Sequence, residues 1–398
     1  MLRDLVLRKP PRLMNMKDSL PDSLPDSFAS NLPGSQSRSS PNNLPPRGFW
    51  KKLYNEKVAK GEILTALAPM ADVTDTAFRE MMALHSRTGE VGGGPDVTWT
   101  EFVAADGLAS PGREVLKRDL EYTEKERPII AQLFTSSPET MKVAVTLCRE
   151  LGFDGVDINM GCPVDVIGKQ GAGAKLITTP SLAVEIVKAA QEVAGDMPVS
   201  VKTRIGYNKV EYRDWLPHLL DTKIPALTLH LRTRKEMSAV PAHWELGREI
   251  SDFVREYVGS ASEGGPLLFV NGDIKSVREG RRLSQEAGFD GFMVGRSVFG
   301  CPWFFDEEAF EKGKSKEEML RISLAHVRLF EKKLGDIKSF AIMKKHYKAY
   351  CNGFDGAKEL RIKLMECKDG NEIERTIEEY LKKENKTHHS ETTFRYGV

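Results

Sequence analysis

The sequence predicts an α/β protein, a TIM (β/α)8 barrel followed by a small all-helical domain. Three observations lead there. Eight short β-rich runs alternate with amphipathic stretches between residues 63 and 294. No strand-like run follows residue 310, where the pattern turns helical. Polar or charged groups close most of the eight runs, and function in such barrels gathers at the carboxyl ends of the strands. A doubly wound open sheet is the alternative, because alternation alone does not require closure.

In chain order, residues 1–48 are rich in Pro and Ser and carry the repeat Asp-Ser-Leu-Pro-Asp-Ser-Leu-Pro-Asp-Ser over 18–27. Such a segment buries too little apolar surface to offset its ordering entropy, so a disordered leader is expected. Arg3, Arg8, Lys9 and Arg12 suit a mitochondrial transit peptide, but Asp4, Asp18, Asp22 and Asp26 do not. A cytoplasmic or nuclear protein is the expectation, with mitochondrial import as the alternative.

The barrel is expected over 49–310, with strands at Ile63–Met70, Val97–Phe102, Pro128–Phe134, Gly155–Met160, Val199–Ile205, Ala226–Leu231, Leu267–Val270 and Gly291–Val294. Ser137-Pro138-Glu139 and Thr179-Pro180 read as helix starts, an N-cap followed by proline at the first helical position. The helix from Pro138 to Leu151 spaces Met141, Val145, Cys148 and Leu151 for burial and stops at Gly152. Ser86–Pro95, with three consecutive glycines, has the look of an insertion before the second strand.

The helical domain is expected over 311–384, as helices near Lys316–Leu334, Ile337–Tyr350, Ala357–Cys367 and Glu372–Lys383. Between Arg321 and Lys363 stand eleven Lys/Arg against four Asp/Glu, so the net charge of +1 hides a basic segment. Residues 385–398 read as a disordered tail. No apolar run approaches the ~20 residues that cross a bilayer. The five cysteines are widely spaced without a Cys-x-x-Cys pair, so neither a zinc site nor a disulfide framework is suggested, and no metal is expected.

The strand ends present Pro69-Met70-Ala71, Glu101, Gln132, Asn159 with Cys162, Lys202 with Arg204, His230 with Arg232, Asn271-Gly272-Asp273 and Gly295-Arg296. The Gly-Asp turn after strand seven and the Gly-Arg after strand eight stand where many barrels bind phosphate. Glycine admits main-chain amides to the anion, and Arg296 offers a bidentate fork. A phosphorylated cofactor across the barrel mouth would place Gln132 and Lys202 within reach of its ring. Lys202 would favour an electron-rich, anionic ring. Cys162, between Gly161 and Pro163 at a strand end, is open to nucleophile, ligand or packing roles.

Leu67-Ala-Pro-Met-Ala-Asp-Val-Thr-Asp75, Ala131-Gln-Leu133, Asp157-Ile-Asn-Met-Gly-Cys-Pro163, Val201-Lys-Thr-Arg-Ile-Gly206, His230-Leu-Arg-Thr-Arg234, Asn271-Gly-Asp-Ile274 and Gly295-Arg296 together resemble the tRNA-dihydrouridine synthases. Lys345-His346-Tyr347-Lys-Ala-Tyr350 resembles that family's Lys-His segment. The resemblance implies an FMN-bound barrel, a helical tRNA-binding domain, and NADPH-driven reduction of the uridine C5=C6 bond. Pro69, Met70, Ala71, Gln132, Lys202, His230, Asn271, Gly272, Asp273, Gly295 and Arg296 would then hold FMN. Asn159, Arg204, Arg232, Lys345 and His346 would meet the tRNA, and the Gly171–Gly173 loop would order over it.

Reduction of uracil needs a hydride and one proton, and a thiol of ordinary pKa, about 8.5, is protonated at neutral pH and able to donate. Cys162 is accordingly the expected general acid. Leu231 stands where the family commonly has glycine, and the Lys235–Trp244 stretch departs from the usual continuation. Two rival readings are a flavin-dependent oxidoreductase of a free pyrimidine or small enone, and a non-catalytic tRNA-binding relative.

Overall fold

The computed structural model describes residues 48–387 together with 393–394, with side chains through residue 383. The leader, with the question of targeting, and most of the tail lie outside the described residues. Eight parallel strands close into a barrel in chain order. They are β1 (Leu64–Leu67), β2 (Val97–Ala104), β3 (Ile129–Phe134), β4 (Gly155–Met160), β5 (Val199–Arg204), β6 (Ala226–His230), β7 (Leu267–Asn271) and β8 (Gly291–Val294). Closure is made by β8 pairing back onto β1, with Leu67 opposite Val294. Every residue of β1, β4 and β8 is buried, as expected of parallel strands covered on both faces.

A helix at the chain's first described residues, α1 (Gly48–Glu56), stoppers the amino-terminal end of the barrel. Its Trp50 is 2% exposed, with ring centroids 5.5 Å from Phe269 and 6.1 Å from Trp99. The outer ring is formed chiefly by α2 (Thr76–His85), α3 (Pro138–Glu150), α4 (Pro180–Ala194), α5 (Tyr212–Leu220), α6 (Gly247–Val258) and α7 (Val277–Ala287). Ser137 caps α3 by accepting from the Thr140 amide, as its sequence position predicts. Thr179 makes no such bond before α4; only the proline at the first position acts there. Gly280 lets α7 lie directly on β8, since a Cβ there would stand 2.5 Å from the Phe292 ring.

Beyond the barrel come α8 (Lys316–Leu334), α9 (Lys344–Tyr350), α10 (Ala357–Glu366) and α11 (Gly370–Thr387). Within the tail, Thr393–Phe394 pairs antiparallel with Lys314–Ser315. This helical region joins the barrel in one compact unit. Its contact with α2 is aromatic: His346 of α9 stacks 5.6 Å from Phe78 and 5.7 Å from Phe299, and meets His326 of α8 edge-on at 4.7 Å. His346 is fully buried, as is Tyr350, which corrects its expected place on the tRNA surface. The pattern Lys-His-Tyr-Lys put His346 on a helix, but that helix turns its histidine inward. Burial, then His326 and Lys345, lowers its pKa well below the ordinary value, and neither ring nitrogen has a hydrogen-bond partner.

Replacing His346 by Phe keeps the stack and removes two unpartnered polar atoms, which in a core is neutral to stabilising. The His346→Phe variant is expected to melt at or above the parent's temperature in a thermal scan. A fall of more than about 5 °C would contradict this packing account.

Candidate active site

A cavity of about 690 Å3 opens at the carboxyl ends of the strands. Its wall collects residues from β1 (Pro69, Met70), β4 (Asn159, Cys162), β5 (Lys202, Arg204), β6 (His230, Arg232), β7 (Asn271, Gly272, Asp273) and β8 (Gly295, Arg296). Thirteen of the expected site residues therefore converge.

Cys162 is held by a buried chain of hydrogen bonds crossing three strands. Ser200 Oγ donates to Asp157 at 2.6 Å, Gln132 Nε2 donates to the other Asp157 oxygen at 2.7 Å, and Asn159 Nδ2 donates to Gln132 Oε1 at 2.8 Å. Asn159 Oδ1 then accepts from the amides of Gly161 (3.1 Å) and Cys162 (2.9 Å). The side chain of Asn159 thus shapes the turn that presents the thiol. Gln132 is fully buried with both ends of its amide engaged, beneath the cavity rather than in its wall. Burial raises the Cys162 thiol above its ordinary pKa and pushes Asp157 up to about 6.

From the other side, Arg204 Nε donates to the Gly161 carbonyl at 2.7 Å, while its Nη1 reaches the carbonyls of Thr233 and Met237 at 3.1 Å. Arg232 donates to Asp273, to the Val240 carbonyl (2.7 Å) and to His230 Nε2 (3.1 Å). As guanidinium has no acceptor, His230 receives at Nε2 and carries its proton at Nδ1. Both arginines line the cavity, yet their hydrogen bonds brace its wall. Arg296, 62% exposed, pairs with Asp273 at 2.7 Å. Asp273 has φ 49, and Gly272 before it has φ 144 with no room for a Cβ, which would sit 2.7 Å from Ala242.

The wall carries Lys202, Arg204, Arg232, Lys275 and Arg296 against a single carboxylate, Asp273. Burial, reinforced by Arg204, pushes Lys202 down to about 8. Burial and then Arg204, Lys202, Arg232 and Arg296 drive His230 well below its ordinary pKa, so the imidazole is neutral.

Three other expected residues stand apart. Ala71 is exposed outside the wall, Lys345 is half-buried 4.0 Å from Asp72, and His346 is in the core described above. The glycine-rich loop is a buttress: Gly173 (φ 62) is buried, and the Ala174 amide donates to the Cys162 carbonyl at 3.0 Å. A Cβ on Gly173 would lie 3.0 Å from that carbonyl, so this part of the loop is packed against the cysteine. Leu231 is buried in the core and takes no part in the wall. The basic excess of the helical region is also partly neutralised. Arg321 pairs with Glu378, Arg328 with Glu374, Lys333 with Glu80, and Lys338 with Glu101 and Asp119. Sequence reasoning missed Phe102, Met237, Ser238, Lys275 and Met293 in the wall. Met237 had a signal: it lies in the stretch flagged as unusual, and it is a half-exposed non-glycine with φ 53.

Residues 66–386 match the model of the dihydrouridine synthase family. The chain is 39% identical over 338 residues to the probable tRNA-dihydrouridine synthase 2 of Bacillus subtilis strain 168, covering 84% of this chain and 97% of that one. The chain belongs to the dihydrouridine synthase family. A probable tRNA-dihydrouridine synthase of Staphylococcus aureus strain COL is similar too, 38% identical over 317 residues, or 79% of this chain and 92% of that one. Among the described residues no helix is long and apolar enough to cross a membrane, and no three His, Cys, Asp or Glu stand together as a metal site. The site fits the phosphorylated flavin implied by the resemblance. Its charge excess suits an anion, and the cramped Gly272–Asp273 turn beside Arg296 suits a phosphate.

Of the five cysteines only Cys162 is not buried. Alkylation by iodoacetamide, followed by mass spectrometry, is expected to label it first, with a rate that is slow at pH 7 and still climbing at pH 9. Saturating labelling at pH 7 at the rate of an activated thiolate would contradict the raised pKa.

Proposed function

We propose that the protein is an FMN-dependent tRNA-dihydrouridine synthase using NADPH, with Cys162 as general acid. One observation carries this reading. A half-buried thiol of raised pKa sits at the edge of a cationic cavity sized for a planar ligand. Reduced flavin, when bound, supplies the hydride to uracil C6. The chain must then deliver a proton to C5, and Cys162 Sγ–H is the wall's proton donor beside Asn159. The resulting thiolate is stabilised by Arg204 and Lys202, which already favour its charged form, and regains a proton from solvent. Neutral His230 offers a polar contact without adding charge, and Met237 supplies apolar wall. Exposed Lys332, Lys348, Lys358, Lys363, Lys368, Arg375 and Lys382 are among the cations of the helical region available to tRNA phosphates.

Cys162→Ala is expected to retain bound FMN but lose about 10²–10⁴-fold in dihydrouridine formation on unmodified tRNA, the range of a positioned acid. Parent-like turnover would remove Cys162 from the mechanism, and a parent that cannot be loaded with FMN would remove the cofactor.

Lys202 titrates near 8, so its charge is present below that pH and lost above it. Affinity for FMN, followed by flavin fluorescence, is expected to hold from pH 6.5 to 7.5 and weaken several-fold by pH 9. An affinity independent of pH over that window would exclude Lys202 from the anion's field.

A further inference from the structure

Glu101 lies outside the cavity wall, between the cavity and the helical region. It sits in a bulge of β2, where the register with β3 slips between Trp99 and Phe102. Such a slip re-aims a side chain at a barrel rim. The bulge is fastened by Thr100, whose hydroxyl accepts from the Gln132 amide at 3.1 Å and donates to the Glu101 carbonyl at 2.8 Å. Phe102, the next residue, faces the cavity.

The two carboxylate oxygens of Glu101 then reach in different directions. Oε1 accepts from the backbone N–H of Asp72. Asp72 has φ 54, a conformation that a non-glycine residue holds only when its surroundings impose it. It closes the Pro69–Asp72 loop, whose Pro69 and Met70 form one side of the cavity. Oε2 accepts from Lys338 Nζ at 2.8 Å, 237 residues along the chain, in the segment following α8. Glu101 is 5% exposed, and burial raises its pKa to about 7 against the opposing pull of Lys338. Without that lysine the carboxylate would be a buried charge with no cation in hydrogen-bond reach, and it would neutralise or move. Either change alters the acceptor that holds Asp72.

We infer that Glu101 is a positioning residue for the cofactor: it fixes the Pro69–Asp72 loop in the shape that walls the cavity, and makes that shape depend on Lys338 of the helical region. This rests on the flavin reading above. Lys338 touches nothing in the cavity, and of its two paired carboxylates Glu101 is the one that bonds the loop. Its second partner, Asp119 at 2.8 Å, makes no bond to the loop and separates the two roles.

The test is a double-mutant cycle on FMN affinity, measured by fluorescence titration of flavin-stripped full-length protein. Lys338→Met and Glu101→Gln are each expected to weaken FMN binding roughly tenfold, and the double variant no further than the weaker single. Lys338→Arg, which restores the ion pair, and Asp119→Asn, which leaves Glu101 paired, are expected to stay within about twofold of the parent. Should Lys338→Met fail to fold, Lys338→Gln carries the same expectation. Parent-like affinity in the lysine variant, effects that multiply in the double, or an equal loss in Asp119→Asn would overturn the inference. Failure of the parent itself to bind FMN would instead overturn the flavin reading.

Discussion

The site depends on a buried line of hydrogen bonds running from Ser200 through Asp157, Gln132 and Asn159 to the amides of Gly161 and Cys162. It crosses β5, β4 and β3 at right angles to the strands, using inward-facing positions that neighbouring parallel strands bring level. A half-satisfied network in such surroundings is worse than an apolar one, because each orphaned polar atom forfeits about 1–3 kcal/mol. Here the side-chain oxygens of Asp157, Gln132 and Asn159 all have donors, so the line is stiff. The position of the thiol is therefore set by the barrel itself, with the Gly173–Ala174 segment and Arg204 closing on its carbonyl side.

Burial in this layer does one thing to every titratable group: it favours the neutral form. The thiol of Cys162 rises, Asp157 rises to about 6, Lys202 falls to about 8, and the His230 imidazole is neutral. For an acid meant to donate a proton, that direction is useful, and no activating base is needed. For the cations it is a strain shared by several side chains. Burial, then Arg232, pushes Arg204 down to about 10, and Arg204 in turn lowers Lys202. An anion in the cavity relieves all of them at once. Arg232 and Arg296, already paired with Asp273, would be less affected than Lys202, whose side chain among the described residues donates to the Asn271 amide oxygen at 3.3 Å.

The barrel was legible because its strands announce themselves by composition. All eight begin and end within three residues of the runs read from sequence. The wall was legible for a related reason: it is made of strand-end residues, and the ends of apolar runs can be located without knowing what they face. What failed was orientation and distance. Helical spacing placed His346 beside two lysines, but spacing alone does not say which face meets α2. Gln132 is tied by both ends of its amide to Asp157 and Asn159, a pairing across strands that no local pattern reveals. The count of eleven basic residues against four acids was local, whereas the neutralising carboxylates Glu80, Glu101, Asp119, Glu374 and Glu378 come from outside that window. No pattern connects residues 101 and 338, or predicts that Trp50 plugs the barrel floor.

That long-range pairing also bears on why the helical region sits where it does. A base within folded RNA must be turned out of its stack, at a cost of a few kcal/mol, and delivered to a cavity whose reacting groups are already fixed. Displacement of the phosphate contacts by even an ångström would misplace the base, and misplacement on that scale is expensive in rate. A surface pair such as Arg321–Glu378 restrains position only weakly, because both partners are solvated. The side chains of Lys338 and Glu101 are 14% and 6% exposed, and the other oxygen of the same carboxylate accepts from the loop that carries Met70. A restraint of that kind ties the helical region to the loop that walls the cavity, and on the proposed reading it would register RNA against cofactor. The aromatic stack of Phe78, Phe299, His326 and His346 adds area to the same junction, but area alone tolerates sliding. The ion pair supplies the registration.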